Sequence, residues 1–255
     1  HIGILEAEDY GLSIGAEAVT DKNSAAVTGA NIAGSVSFDP TSWTVTIDGA
    51  TITDPRNAHA AIERQSVGYE QFAGQPLTIV LKGVNTLDGH SVILCPDNDL
   101  VIVGEGSLVC GVCTYSWEYF TAGNITIKDQ VILNTSDKGL YFKGTQTLIQ
   151  NSTVEAKGIA GTGVLAVDNS DITSTGKVYD FDDVVLQNAK YQTPEGASYD
   201  TTQKCVVNAN GGVTGTVLIV ADATGINSVL ADFAAGAAIY TLDGRLMKSF
   251  EATEG

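Results

Sequence analysis

The side chains best suited to binding chemistry are aromatic, and they cluster at one point of the chain. Tyr115, Trp117, Tyr119 and Phe120 fall close together, although aromatic residues make up only 7% of the sequence. Aromatic rings stack on the apolar faces of sugar rings while their polar edges stay in water. Alternation along an extended segment would place Tyr115, Trp117 and Tyr119 on one side. This group is therefore the first candidate for glycan stacking.

A second pair of aromatic residues, Tyr69 and Phe72, lies in a segment without strand periodicity, 54–75. A non-repetitive segment of this length in a repeat protein commonly projects from one side and carries specificity. The alternative is structural: the first aromatic group would then plug the edge of its strand or pack against this segment. The sequence leaves both interpretations open.

A cluster of carboxylates offers a different chemistry. A polygalacturonase-type hydrolase uses several Asp side chains, one protonated as the acid and another activating water. The chain lacks the Gly-His-Gly and Arg-x-Lys elements of that enzyme type, and none of its arginines lies in the region where a lyase would need one as its base. The same carboxylates are also compatible with Ca²⁺, although no calcium-binding loop is recognisable. The residues concerned are Asp168, Asp171, Asp180, Asp182 and Asp183.

The cysteines do not point to a metal centre. Cys110 and Cys113 have the spacing of a zinc ligand pair, but no second such pair and no pair of histidines accompanies them. Cys110 lies in an apolar patch, where a cysteine behaves as a small core residue. We therefore expect buried or disulfide-linked cysteines, and no cofactor other than the possible Ca²⁺.

The net charge of the chain limits the classes of partner that it can bind. A formal net charge of −17 argues against nucleic acid and against anionic membrane surfaces. It is compatible with neutral sugars, with cationic ligands and with Ca²⁺. The longest apolar run, Val229 to Tyr240, is too short to cross a bilayer. The chain begins at His1 without a signal-peptide pattern, so we expect a secreted or cell-surface protein whose leader has been removed.

The elements that must position these residues recur along the chain. Short apolar runs, each followed by small or polar residues and usually a glycine, repeat at intervals of roughly 20 residues, which is typical of a solenoid. The sequence therefore predicts an all-β fold, a single-stranded right-handed parallel β-helix. The runs begin at Leu77, Leu100, Ile125, Leu148, Leu165 and Val178.

Polar residues recur at the ends of these runs. Asp129, Asn151, Asn169 and Asp183 each follow an apolar residue by two positions. Asn and Asp tolerate a left-handed backbone and bond back to the main chain, so the coil should turn at these residues. We expect them to stack as a structural ladder.

The sequence also predicts how the chain is divided. Residues 1–222 form the β-helix domain, which includes an N-terminal β cap at 1–35 and the insertion at 54–75. Residues 223–235 form a linker. Residues 236–255 form a partial C-terminal β module, because two short strands flank Asp243-Gly244, a strong hairpin signal.

Two stretches resemble known proteins. The strand Trp43–Ile52, the run Leu77–Leu87 and the run Val101–Leu108 resemble the β-helical carbohydrate-binding-domain-containing or adhesin-like surface proteins of Bacteroidetes-type bacteria. Residues 236–248 resemble the C-terminal sorting modules of exported proteins from the same bacteria. The first resemblance covers roughly residues 10–190 and implies a right-handed parallel β-helix and an exported protein. It supplies no motif of binding residues.

Taken together, these features predict a non-catalytic, exported cell-surface protein that binds an extracellular glycan or a host or cell-surface component, as an adhesin would. The first alternative is a polysaccharide-degrading enzyme, polygalacturonase- or pectate-lyase-like, that uses the face from Asp168 to Asp183. The second alternative is a passive structural spacer.

Overall fold

The computed structural model describes residues 7–56, 59–110, 117–135, 138–222, 237–240 and 246–250, with only the backbone described for 117–118 and for the last two ranges. The chain divides into two compact units, His1–Ala221 and Asp222–Gly255. In the first unit, parallel strands stack into five turns of three strands each. This confirms the predicted parallel β-solenoid. Its right-handed sense stays a prediction.

The strands are numbered β1 to β27 in chain order, and the parallel strands of the first unit form three faces of the coil. Face 1 consists of the first half of β4 (Thr44–Thr53), β6 (Leu77–Lys82), β9 (Leu100–Val103), β12 (Asn124–Lys128), β15 (Gln146–Gln150), β18 (Val164–Asp168) and β21 (Asp183–Gln187). Face 2 consists of the second half of β4, β7 (Val84–Asp88), β10 (Ser107–Cys110), β13 (Ile132–Thr135), β16 (Thr153–Ala156) and β19 (Asp171–Ser174). Face 3 consists of β5 (Ala60–Arg64), β8 (Ser91–Cys95), β11 (Trp117–Ala122), β14 (Gly139–Lys143), β17 (Gly158–Gly161) and β20 (Val178–Tyr179).

The core is a set of apolar columns that run along the coil. Because the turns pair in parallel register, an inward residue stacks on the inward residue of the next turn. One column on face 1 is almost entirely β-branched, as expected of side chains that pack well on a pleated surface. All of its members are buried. From turn to turn it contains Ile79, Ile102, Ile127, Ile149 and Val167.

The apolar runs from Leu77 to Leu165 mark successive face 1 strands, but the run at Val178 was wrongly grouped with them. Val178 begins strand β20, which pairs with β17 on face 3. The next face 1 strand is β21, where Val184 pairs with Leu165. The unusually short spacing before Val178 reflects this change of face.

The predicted turn ladder is confirmed at three of its four positions. Asp129, Asn151 and Asn169 have positive φ angles of 64°, 49° and 44°. The Asn169 side-chain amide donates to Asn151 Oδ1 at 2.7 Å, so the ladder is hydrogen-bonded between turns. Asp183 was wrongly assigned to it, since it begins β21. Its place is taken by Asn188, whose φ is 48°.

Tight corners also explain why most turns contain a glycine. Gly163, between β17 and β18, has a φ of +67°. A Cβ at this position would collide with the backbone carbonyl oxygen of Thr145 in the preceding turn. Only glycine fits a corner where adjacent turns approach this closely.

Antiparallel strands close both ends of the coil, and those at the start confirm the predicted N-terminal cap. At the start, β1 (Asp9–Ile14) pairs with β2 (Glu17–Thr20) and with β5, and β3 (Ile32–Asp39) pairs with β4. At the other end, β22 (Ala189–Thr193) and β25 (Val217–Ala221) extend face 2. Strands β23 (Ser198–Asp200) and β24 (Cys205–Val207) extend face 3.

The segment 54–75 is only partly an insertion. The sequence of this segment indicates no strand. Instead Ala60–Arg64 forms β5, which pairs with β1 and β8. Ala60, Ala61 and Ile62 are all fully buried. A strand buried on both sides loses the alternation by which strands are recognised. The remaining loop contains one 3₁₀ turn, Glu70–Phe72.

The second unit, described by itself, contains the predicted hairpin. Strands β26 (Ala237–Tyr240) and β27 (Leu246–Phe250) pair in antiparallel fashion. The turn residues Asp243 and Gly244 lie outside the described residues.

Thr147 departs from the apolar pattern of the core and gives the first testable prediction. Its side chain is fully buried in a face 1 column between Ile125 and Leu165. Its hydroxyl oxygen has no hydrogen-bond partner among the residues the structure describes. A buried hydroxyl without a partner costs free energy. We therefore expect Thr147→Val to raise the free energy of unfolding by about 1 kcal/mol in urea titrations.

The matched control is Thr135→Val. Thr135 is also buried, but its hydroxyl donates to the Lys138 carbonyl oxygen at 2.6 Å. This substitution should destabilise the protein by about 1 kcal/mol. Equal destabilisation by both substitutions would contradict the assignment of Thr147.

Candidate functional site

A column of tyrosines runs along the outer surface of face 3. Strand register aligns Tyr119 on β11 with Tyr141 on β14, then with Ala160 on β17 and Tyr179 on β20. The residues that follow Tyr119 and Tyr141, Phe120 and Phe142, are fully buried, and strand alternation therefore directs the two tyrosines outward. We call Tyr119, Tyr141 and Tyr179 the tyrosine column.

The rings of this column are close together and half-buried. The centroids of the Tyr119 and Tyr141 rings lie 5.3 Å apart, with a 45° angle between their planes. Burial raises the pKa of Tyr179, and the neighbouring Asp180, Tyr141 and Tyr119 raise it further. The three phenol groups therefore lie within electrostatic range of one another. The column places neighbouring aromatic rings that carry hydroxyl groups on the outer surface of face 3, and rings of this kind can contact sugars.

Of the aromatic group predicted to stack on glycans, Tyr119 alone has a described side chain on the outer surface. Phe120 was a wrong candidate, because it is fully buried and its ring centroid lies 5.6 Å from that of Phe142 in the core. Trp117 begins β11 and pairs with Gly139, but its side chain lies outside the described part. Tyr115 lies outside the described residues. The segment from Trp117 is a strand of the coil rather than an insertion into it.

The second predicted pair, Tyr69 and Phe72, stabilises the N-terminal end of the coil. The Tyr69 hydroxyl donates to Asp9 Oδ2 at 2.9 Å, and its ring packs on Gly11. The Phe72 ring packs on Trp43, with 5.0 Å between centroids. These contacts tie the loop to the cap, so neither ring belongs to the surface of face 3.

A buried arginine holds this loop in place. The Arg64 guanidinium carbon lies 3.9 Å from the centroid of the Trp43 ring. Its two terminal nitrogens donate to the carbonyl oxygens of Gln75 and Phe72, each at 2.5 Å. Arg64 is only 3% exposed, and burial lowers its pKa. The cation–π contact and the two hydrogen bonds offset part of the cost of burying this charge.

Two of the five candidate carboxylates, Asp168 and Asp183, do not converge. Asp168 and Asp183 lie on the paired strands β18 and β21 but at opposite ends, since Asp183 pairs with Val164 and Asp168 with Gln187. This offset corresponds to about 13 Å along a strand. Catalytic carboxylate pairs in glycosidases are about 5–9.5 Å apart.

These carboxylates bond to neighbouring structural groups. Asp168 accepts hydrogen bonds from the side chains of Gln150 and Asn188, each at 2.9 Å. Asp171 accepts one from the Ala221 backbone at 2.9 Å, which ties β19 to the closing strands. Asp182 forms an ion pair with Lys204 at 2.9 Å.

Of the two other acids of the cluster, Asp180 lies between β20 and β21, and Asp183 is the first residue of β21. Asp180 has a φ of 68°, and Asp183 accepts a hydrogen bond from the Val184 amide at 2.8 Å. Within the part of the chain that the structure describes, no group of three or more His, Cys, Asp or Glu residues could hold a metal ion.

The described cysteines Cys95, Cys110 and Cys205 are buried, whereas Cys113 lies outside the described residues. Burial raises the pKa of Cys95 to about 11, although the nearby Arg64 acts in the opposite direction. The thiol is therefore neutral at physiological pH and belongs to the core.

A shallow groove lies on face 2. Its volume is about 540 Å³. The amide of Asn134 donates to Glu155 Oε2 at 3.2 Å across its floor. The lining carries no aromatic side chain and therefore offers no stacking surface. It consists of Asn134, Thr135, Glu155, Ala156, Lys157, Thr173 and Thr175.

Sequence reasoning missed two members of the tyrosine column, Tyr141 and Tyr179. Each lies in a short run that resembles any other strand of the coil, without a local cluster to mark it. The available signal was alignment of the turns, since Tyr141-Phe142 repeats the pair Tyr119-Phe120.

Comparisons with known proteins do not assign the chain to a family. No family model matches it, and no match was found among curated proteins or solved structures. Among the described residues, no helix has the length and apolar character needed to cross a membrane. The resemblance to adhesin-like surface proteins therefore stays a prediction.

The arrangement of Arg64 gives a prediction about the loop. We expect Arg64→Ala to lower the free energy of unfolding by about 3–5 kcal/mol, because it leaves two carbonyl oxygens without their hydrogen-bond donors and removes the cation–π contact with Trp43. Hydrogen exchange should accelerate at the Phe72 and Ala73 amides, which donate within the loop. The control Lys22→Ala removes an exposed ion pair and should change stability by less than about 1 kcal/mol. A similar effect of the two substitutions would show that Arg64 does not hold the loop.

Proposed function

We propose that this chain is a non-catalytic glycan-binding β-solenoid that binds its ligand along the tyrosine column of face 3. We further propose that it is exported and acts at the cell surface, in the manner of an adhesin. The observation that carries the proposal is the alignment of Tyr119, Tyr141 and Tyr179 in one outward column.

The spacing of the column suits an extended ligand. Tyr119 and Tyr141 lie on neighbouring strands, which are about 4.8 Å apart. Tyr179 lies two strands beyond Tyr141, a distance of about 10 Å. Ala160, between the last two, leaves a position without a large side chain. A chain of sugar rings laid across the strands would contact several tyrosines in succession, whereas one isolated ring would contact few.

The rigidity of the face favours binding further. Each tyrosine is carried by a strand that pairs on both sides, so its backbone is ordered before the ligand arrives. A preorganised surface loses little conformational entropy on binding. Half-buried tyrosines also have few free torsions to immobilise.

The positions of the acidic residues support a non-catalytic function. Asp168 and Asp171 are held at the corner between faces 1 and 2, whereas Asp182 is paired with Lys204. These bonds serve the turns and the closing strands. A binding surface without a convergent acid pair fits these contacts better than a hydrolase does.

Glycan-array binding of the purified chain tests the proposal. We expect the wild-type protein to bind a subset of glycans and Tyr141→Ala to weaken that binding roughly tenfold or more, because it removes about 1.5–3 kcal/mol of apolar contact. Circular dichroism and urea unfolding establish that the variant is folded.

The matched control is Tyr69→Ala, which removes another half-buried tyrosine, one that packs on the N-terminal cap. It should leave glycan binding unchanged. Failure of the wild-type protein to bind any glycan would refute the proposal. Loss of binding in Tyr69→Ala but not in Tyr141→Ala would move the site to the loop.

A further inference from the structure

Lysines accompany the tyrosine column. Lys143 follows Tyr141 by two positions on β14, and Lys177 lies immediately before β20, two positions before Tyr179. Residues two apart on a strand point to the same side, so Lys143 shares the outer surface of face 3 with Tyr141. Lys177 lines a pocket together with Tyr179. Both lysines are exposed, and within the described part of the chain neither forms an ion pair. This is notable in a chain with 30 acidic and 13 basic residues.

A small pocket lies at the end of the column next to Tyr179. Its volume is about 170 Å³, below the roughly 300–1,000 Å³ typical of pockets that enclose a drug-sized ligand. It therefore suits one substituent of a ligand whose remainder lies outside. The pocket is lined by Lys177, Tyr179, Asp180, Gln203, Lys204, Cys205 and Val213.

The charges around this pocket balance one another, because Lys177 and Lys204 are matched by Asp180 and Asp182. Lys204 is already paired with Asp182 at 2.9 Å, so the pair contributes little net charge. Cys205 is neutral, because burial raises the pKa of its thiol. Lys177 then faces one carboxylate in the lining, that of Asp180, and retains donors for a ligand. Gln203 lines the same pocket and adds a side-chain amide.

We propose that the ligand is an anionic glycan, with a carboxylate or sulfate group bound at Lys177 in this pocket and its sugar rings along the tyrosine column. This inference rests on the proposed function. Lys143 lies beside the same column and is placed to contact a second anionic group of the same glycan.

For an anionic ligand to bind, its attraction to Lys177 must outweigh its repulsion by the net negative charge of the protein. The chain as a whole is strongly negative, but long-range repulsion is screened beyond about 8 Å at physiological ionic strength. A lysine in contact with an anion inside a partly enclosed pocket is screened much less. An acidic ligand is therefore accepted at Lys177 and disfavoured on most of the remaining surface, which gives the face selectivity.

The test uses an array of matched glycan pairs that differ only in charge. Uronate oligosaccharides are compared with their methyl esters, and sulfated oligosaccharides with their unsulfated forms. We expect wild-type protein to prefer the acidic member, and Lys177→Gln to bind that member roughly tenfold more weakly while binding the neutral member unchanged. The uronate and sulfate arms identify which anion the pocket takes.

Lys82→Gln is the matched control, because Lys82 is exposed at the end of β6 on face 1. It makes the same change of net charge away from the column and should leave binding unaltered. Equal binding of acidic and neutral members, or no effect of Lys177→Gln, would overturn the anionic ligand while leaving the tyrosine column intact. If Lys82→Gln and Lys177→Gln weakened binding of the acidic member equally, the preference would follow from net charge alone. That result would also overturn the anionic ligand. No binding of either member would refute the proposed function and this inference together.

Discussion

The parallel pairing of each turn with the turn before it is the constraint on which this structure depends. Backbone hydrogen bonds hold successive strands about 4.8 Å apart, so every side chain stacks on the residue at the same position of the neighbouring turn. An inward position must then be apolar along the whole coil, as in the column that contains Ile102 and Ile127. A corner must be glycine or a residue that tolerates a left-handed backbone, as at Gly163 and Asn169. The buried Thr147 shows that a single polar residue can be accepted within a column.

The same stacking determines what the outer surface can do. A side chain that recurs at one outward position becomes a continuous row, because the backbone brings its copies into contact without any dedicated loop. Tyr119 and Tyr141 form such a row on face 3, and Tyr179 extends it. Strand alternation separates Tyr119 from its neighbour Phe120, so that one faces outward and the other stabilises the core. Adjacent aromatic residues thus serve two different purposes on one strand.

The ends of the coil require different interactions, because stacking stops there. Antiparallel strands cover the open edges, and an open edge would otherwise offer unpaired backbone groups to other chains. At the N-terminal end, Trp43 packs against Phe72 beneath the buried charge of Arg64. The aromatic residues of the loop are therefore committed to the cap. This leaves face 3 as the described surface where aromatic rings line up outward.

The sequence by itself determined the solenoid, its N-terminal cap, the C-terminal hairpin and most of the corners of the coil. Apolar periodicity and the turn preferences of Asp129, Asn151 and Asn169 are local properties, and they can be recognised one turn at a time. Strand β5 escaped recognition, because residues such as Ala61 and Ile62 are buried on both sides and show no alternation. Only the tertiary structure decided which side chains align in the tyrosine column. The turns differ in length, so the alignment of Tyr141 with Tyr119 and of Tyr179 with Ala160 is set by backbone pairing between turns. Spacing along the chain does not contain that information.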